Sequence, residues 1–208
     1  MYKKCIKPTF DILLSLLGII VLALPMLIIA IAIKIDDPGP AIFKQQRVGK
    51  NKKLFWLYKF RTMKLDTPDV PTHLLANPEQ YISRVGRFLR KTSMDELMQL
   101  FNIIKLDMSI IGPRPALWSQ EDLIEERDKY GANDIRPGLT GWAQINGRDE
   151  LAIPVKAAMD GEYVEKLSFL FDVKCMLRTV KIVLRRTGFI EGRHDAVDTP
   201  NEEVVEAE

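Results

Sequence analysis

Histidine and cysteine are scarce: two of each occur among 208 residues, His73 and His194, Cys5 and Cys175. Neither pair has the spacing of a zinc cluster or of a disulfide framework, which fits a reducing cytoplasm. A Ser-His or Cys-His mechanism has poor material to work with, since His194 stands in a polar tail. Phosphate-binding glycine loops of the familiar kinds are missing too. The glycines at 138 and 141 have no Gly-Lys-Ser/Thr ending and no strand–glycine–helix context. There is no internal repeat. Net charge is only +2, because the acidic end from Glu202-Glu203 to Glu208 offsets a middle section rich in Lys and Arg.

What is present is a long apolar run. Residues 12–33 carry a proline, Pro25, just past their middle, and lysines on both flanks: Lys3, Lys4 and Lys7 before, Lys34, Lys44, Arg47, Lys50, Lys52 and Lys53 after. As a straight helix, about 22 residues at roughly 1.5 Å each would reach ~33 Å, enough to cross a bilayer. Pro25 removes one backbone donor and presses its ring on the preceding turn, so a bend is expected there. The positive-inside bias favours keeping both flanks on the cytoplasmic side. A helical hairpin that enters, breaks at Pro25 and returns by the same face satisfies both. The alternative is an ordinary span that the proline only kinks. A cleaved signal peptide fits less well, because the apolar core is too long, although Ala30-Ile31-Ala32 mimics a cleavage site.

Outside that run there is room for one modest domain. The mean hydropathy of −0.05 is high for a chain with 28% charged residues, which suggests further apolar surface facing lipid. The expected organisation is a re-entrant membrane hairpin over 1–36, a cytoplasmic domain over 37–190 and an acidic, disordered tail over 191–208. The fold class is mainly α with one small β-hairpin, built from strands 41–48 and 54–60 around a basic tip. Residues 65–78 read as a loop. One helix is expected over 79–90, a second from after Ser93 to about 108, apolar around most of its circumference, and a charged, exposed one over 119–130. Residues 135–148 read as a glycine-containing loop. The span 163–186 reads as a long amphipathic helix, with Lys174, Arg178, Lys181 and Arg185 on one stripe and apolar residues away from it. That pattern suits a helix lying on an anionic membrane, or a soluble helix with a solvated face.

Three segments carry candidate chemistry. Ser93-Met94-Asp95-Glu96 reads first as a capping box, with acidic residues favoured in a first turn by the helix dipole. Yet Lys59, Arg61, Arg90, Lys91 and Arg114 all lie in flanking segments. Two carboxylates among cations suit magnesium and a phosphorylated substrate, since magnesium takes one or two carboxylates and completes its shell with phosphate and water. Arg114 stands between Pro113 and Pro115, a stiff setting for bidentate phosphate contact or simply a linker. Arg136-Pro137-Gly138-Leu139-Thr140-Gly141-Trp142 is a second stiff loop. Its glycines would let backbone amides approach a nucleotide and Trp142 would stack on it; a structural turn with a buried tryptophan reads equally well.

Together these segments resemble the bacterial sugar transferase family, the monotopic phosphoglycosyl transferases, over residues 2–188. The resemblance rests on the proline-broken segment, Lys59-Phe60-Arg61-Thr62-Met63, Ser93-Met94-Asp95-Glu96-Leu97, Gly112-Pro113-Arg114-Pro115, and the 136–142 loop continuing through Ala143-Gln144-Ile145-Asn146-Gly147-Arg148. It implies a re-entrant hairpin in one leaflet of the inner membrane, on its cytoplasmic face. It implies transfer of a sugar-1-phosphate from a UDP-sugar to polyprenyl (undecaprenyl) phosphate with release of UMP, the first membrane step of glycan assembly. Asp95 would be the nucleophile of a ping-pong reaction and Glu96 its positioning, proton or metal partner, with Mg2+ on both. Lys59, Arg61, Arg90 and Arg114 would hold phosphate oxygens; Arg136, Gly138, Thr140, Gly141, Trp142 and Arg148 would line the nucleotide. Asp172, in Ser168-Phe169-Leu170-Phe171-Asp172, is a further candidate. Membrane lipids are expected partners and nucleic acid is not; the oligomeric state is open, a homodimer included. The rival from another class is a non-catalytic membrane adaptor, which leaves the Asp-Glu pair and Pro-Arg-Pro idle.

Overall fold

The computed structural model describes residues 1–68, 77–147 and 151–185. Arg148, the middle of the 65–78 loop and the 191–208 tail lie outside them. The apolar run forms helix α1 (Lys7–Asp36), entered through a wider turn at Tyr2–Ile6. Pro25 sits inside α1 without ending it. Among the described residues this is the one helix long and apolar enough to cross a membrane.

One stripe of α1 faces the rest of the protein: Lys7, Asp11, Ser15, Met26, Ile29 and Ile33 are buried, with Gly18 and Leu22 half-buried between them. Steps of three and four put all eight on one helical face. The opposite side exposes Leu13, Leu17, Ile20, Val21, Leu24, Leu27, Ile28 and Ile31. Both ends of the stripe are tied down. Lys7 Nζ donates to Asp172 at 2.7 Å, and the Asp11 carboxylate accepts from Ser109 Oγ at 2.7 Å and the Ile110 amide at 3.2 Å. At the far end Asp36 accepts from the Val85 amide, and Asp37 is gripped by the Arg61 guanidinium through both its carboxylate and its carbonyl. In the middle, Gly18 lies against Leu100.

The hairpin matches the sequence reading. Strands β1 (Ile42–Val48) and β2 (Leu54–Phe60) pair antiparallel, Lys44 opposite Tyr58 and Val48 opposite Leu54. The tip turns through Asn51 and Lys52, both with positive φ. Helix α2 (Arg84–Thr92) starts later than 79, because Ser83 caps it by accepting from the Gly86 amide, and Pro78–Tyr81 forms a separate tight turn.

The capping box is not formed. Ser93 closes α2 in the left-handed conformation (φ 56°, ψ 19°), its amide donating to the Leu89 and Arg90 carbonyls. Residues Met94–Met98 then make a 3-10 turn, and helix α3 (Gln99–Ile104) stops well short of 108. Asn102 accounts for that stop: its carbonyl takes the amides of Asp107 and Met108, while its side chain pairs with the Trp56 carbonyl and Tyr58 amide of β2.

A second small sheet extends the expected fold. Strand β3 (Ser109–Ile111) runs parallel to β4 (Gly138–Thr140), followed by the short helix α5 (Trp142–Asn146). Between the two strands lies α4 (Glu121–Asp128), which is not wholly exposed, since Leu123 and Arg127 are buried. The helix expected from 163 is two helices: α6 (Ile153–Lys166) contains Tyr163, and α7 (Phe169–Arg185) begins anew where Ser168 Oγ accepts from the Phe171 amide. Helix α7 buries Asp172 and Cys175 and exposes Leu170, Leu177 and Val180 beside Lys174, Arg178 and Lys181.

Candidate active site

Asp95 and Glu96 ride on the Met94–Met98 turn. Its apolar members Met94, Leu97 and Met98 pack on a cluster formed by Met26, Ile29 and Ile33 of α1 with Phe60 and Leu89. The carboxylates therefore sit one layer above the apolar helix. β2 ends beside this turn and brings Lys59 with it: its Nζ lies 3.0 Å from Glu96 Oε1 and 3.9 Å from Asp95 Oδ2. Arg114 Nη1 reaches the same Glu96 oxygen at 3.3 Å. Asp95, Glu96 and Lys59 are less than one-fifth exposed at their side chains, and Arg114 is 31% exposed.

Burial alone would raise the Glu96 carboxyl, but the charges and hydrogen bonds of Lys59 and Arg114 overcome it and bring the pKa down to about 2. Glu96 is thus an anion that fixes two cations beside Asp95. Such a cluster can hold an incoming diphosphate against a carboxylate. For magnesium the donor set is also suitable. Among the described residues no three His, Cys, Asp or Glu side chains gather.

The other sequence candidates are distributed more widely. Arg90, one turn earlier, donates from Nε to Thr62 Oγ1. Arg61 is buried and engaged with Asp37 at the end of α1. Arg136 donates to the Leu106 carbonyl. The glycines of the 136–142 loop serve close backbone approach: a Cβ on Gly138 would stand 2.1 Å from the Gly112 nitrogen, and one on Gly141 2.0 Å from the Gly112 oxygen. Gly138 donates its amide to the Pro113 carbonyl, and Gly112 donates to Thr140. This loop is the bed on which Pro113-Arg114-Pro115 lies. Thr140 bonds Thr179 on α7. Trp142 donates to Glu162, with Phe171 5.0 Å from its ring and Lys174 and Arg178 about it. Asp172 accepts from Tyr2, Lys7 and Tyr163 at the opposite end of α1 from Arg61. Sequence reasoning missed Asp11, although a carboxylate at the mouth of an apolar run is a signal in itself. Arg127 and Asp160 gave no signal at all.

The pattern that describes the bacterial sugar transferase family matches residues 2–186. The undecaprenyl-phosphate galactose phosphotransferase of Salmonella typhimurium is 39% identical over 202 residues, covering 89% of this chain and 42% of that protein. An uncharacterized sugar transferase of Bacillus subtilis, EpsL, is 37% identical over 189 residues, 91% of this chain and 92% of that one. The UDP-glucose:undecaprenyl-phosphate glucose-1-phosphate transferase of Escherichia coli is 36% identical over 185 residues, 86% of this chain and 40% of that protein. The chain thus spans less than half the length of the Salmonella and Escherichia relatives and nearly all of the Bacillus one.

Proposed function

The chain belongs to the bacterial sugar transferase family, and from that premise we propose that it moves a sugar-1-phosphate from a UDP-sugar to undecaprenyl phosphate and releases UMP. The observation that carries this reading is Glu96 clamping Lys59 and Arg114 beside Asp95, on a turn seated on the apolar helix. Asp95 attacks the β-phosphorus of the donor. A carboxylate oxygen–phosphorus bond forms, the bond from that phosphorus to the bridging oxygen breaks, and UMP leaves with the bridging oxygen's electron pair. A phosphate oxygen of the lipid acceptor then attacks the same phosphorus, and the bond to Asp95 breaks. Lys59 and Arg114 hold the negative phosphate oxygens in both steps, and Glu96 keeps these cations in place. Asp95 and Glu96 are the residues that would hold Mg2+, which when bound screens the diphosphate charge.

The two-step course suits substrates that meet poorly, one in water and one in lipid. We place the protein on the cytoplasmic face of the membrane, with both ends of α1, a continuous helix that contains Pro25, on that face. Support comes from α1 itself: Lys7 and Asp11 at one end, Asp36 and Asp37 at the other, are all tied to the same domain. A helix that delivered its two ends to opposite faces would have to break one set.

Purified protein given UDP-sugars, undecaprenyl phosphate and magnesium is expected to release UMP. Asp95→Asn should keep its thermal transition and lose release by at least about a thousandfold, the scale on which removing a nucleophile acts. Ordinary turnover by that variant would remove the proposed nucleophile.

A further inference from the structure

The Arg114 loop does not hold itself together. Pro113 and Pro115 have no amide hydrogen, so the segment has few donors of its own. Four consecutive carbonyls are instead held from outside: Pro113 by the Gly138 amide (2.8 Å), Arg114 by Arg127 Nη1 (3.0 Å), Pro115 by Arg47 Nη1 (3.1 Å) and Ala116 by the Val48 amide (3.0 Å). The grip on Arg114 itself comes from a side chain, and that side chain is aimed by another. Arg127 on α4 gives Nε and Nη2 to one oxygen of Asp160 on α6, at 2.8 and 2.6 Å, which leaves Nη1 directed at the Arg114 carbonyl.

The pair is only 4% and 1% exposed. Burial pushes the Asp160 carboxyl above its ordinary value, and Arg127 draws it only partly back. A buried ion pair is seldom better for stability than apolar residues of the same volume. What it supplies that they cannot is direction, because a guanidinium is a rigid planar fork. The helices that carry it are closely seated: a Cβ on Gly161, next to Asp160, would stand 2.6 Å from the Cβ of Tyr130, in the turn just after α4.

We propose that Arg127 and Asp160 are a positioning pair that sets the reach of Arg114 towards Glu96 and the donor's phosphates. The proposal rests on the phosphate-transfer reading of the site. It deepens that reading by tracing the placement of Arg114 back through α4 to α6: Asp160 fixes Arg127, Arg127 fixes the Arg114 backbone, and the Arg114 side chain reaches Glu96.

The test replaces the pair by apolar residues of similar volume, Arg127→Met with Asp160→Leu, in the full chain. The melting temperature should stay at or above that of the parent, while kcat/KM for UMP release falls about ten- to a hundredfold, the scale of a small misplacement. In combination with Arg114→Ala, the pair replacement should add no further loss. Arg127→Lys, which keeps the charge without the fork, should not rescue. Hydrogen exchange should rise in the peptides carrying Gly138 and Val48, whose amides grip the neighbouring carbonyls. That readout needs no turnover, so if the parent releases no UMP the assigned reaction falls and exchange still decides the positioning role. Losses that add fully to those of Arg114→Ala, or unchanged exchange at Gly138 and Val48, would overturn the proposal. If the double replacement fails to fold, Asp160→Asn, which keeps one acceptor oxygen, is read by the same exchange and additivity measures.

Discussion

At the scale of single residues the site turns on Glu96. Its carboxyl lies near 2 in the folded protein against an ordinary 4.5, because Lys59 and Arg114 outweigh the burial that opposes ionisation. A folded value below the unfolded one means that the ion cluster stabilises the fold above pH 4.5 and loses that contribution as pH falls towards 2. The shift corresponds to roughly 3 kcal/mol. Glu96→Gln should therefore melt lower than the parent at neutral pH, and the gap should close between about pH 4.5 and 2. A constant gap across that range would mean the ion cluster does not carry the difference. This arrangement was half legible from sequence. The residues of the cluster stand out as cations around an Asp-Glu pair, but the capping-box pattern competes with it. What decides between them is Ser93, whose left-handed backbone ends one helix where the pattern would start another. No spacing rule announces a serine in that conformation.

At the scale of elements, the hairpin was readable because two short strand-like runs flank a glycine and a basic tip in one short segment. Strands β3 and β4 were not, since three residues are too few for any periodicity to register. Their pairing is made by distant backbone contact, and only the glycines hint at it. The division of α6 from α7 was missed for a related reason: apolar residues continue across Leu167, and one serine cap interrupts them. The glycine contacts yield a direct prediction. Gly138 faces Gly112 and Thr140 backbone atoms, all of which a methyl would strike. Gly138→Ala should destabilise by about 3 kcal/mol, the upper range for overpacking, and should displace the Arg114 loop with it. Thermal unfolding together with UMP release checks this; a variant with parental stability and rate would show that the β3–β4 contact is loose.

At the scale of the whole molecule, the chain is a small domain packed against one stripe of its long apolar helix. The apolar outer side of α1 and the exposed apolar residues of α7 meet at Phe169, whose ring contacts those of Phe10 on α1 and of Tyr2 in the turn before it. Large exposed apolar areas of this kind mark a lipid or protein contact. If both ends of α1 share a face, Cys5 (exposed) and a cysteine placed by Lys53→Cys at the hairpin tip should both resist an impermeant thiol reagent in intact cells and both react after permeabilisation. Cys175 is buried and adds no background. Labelling of Cys5 alone from outside would make α1 a simple span.

In the proposed mechanism Asp95 itself carries the sugar phosphate between the two substrates. Protein incubated with a UDP-sugar and magnesium, but no lipid acceptor, should release about one UMP per chain and gain the mass of a sugar phosphate on the peptide containing Asp95. UMP that appears only when the acceptor is present, with no mass gained on that peptide, would contradict it.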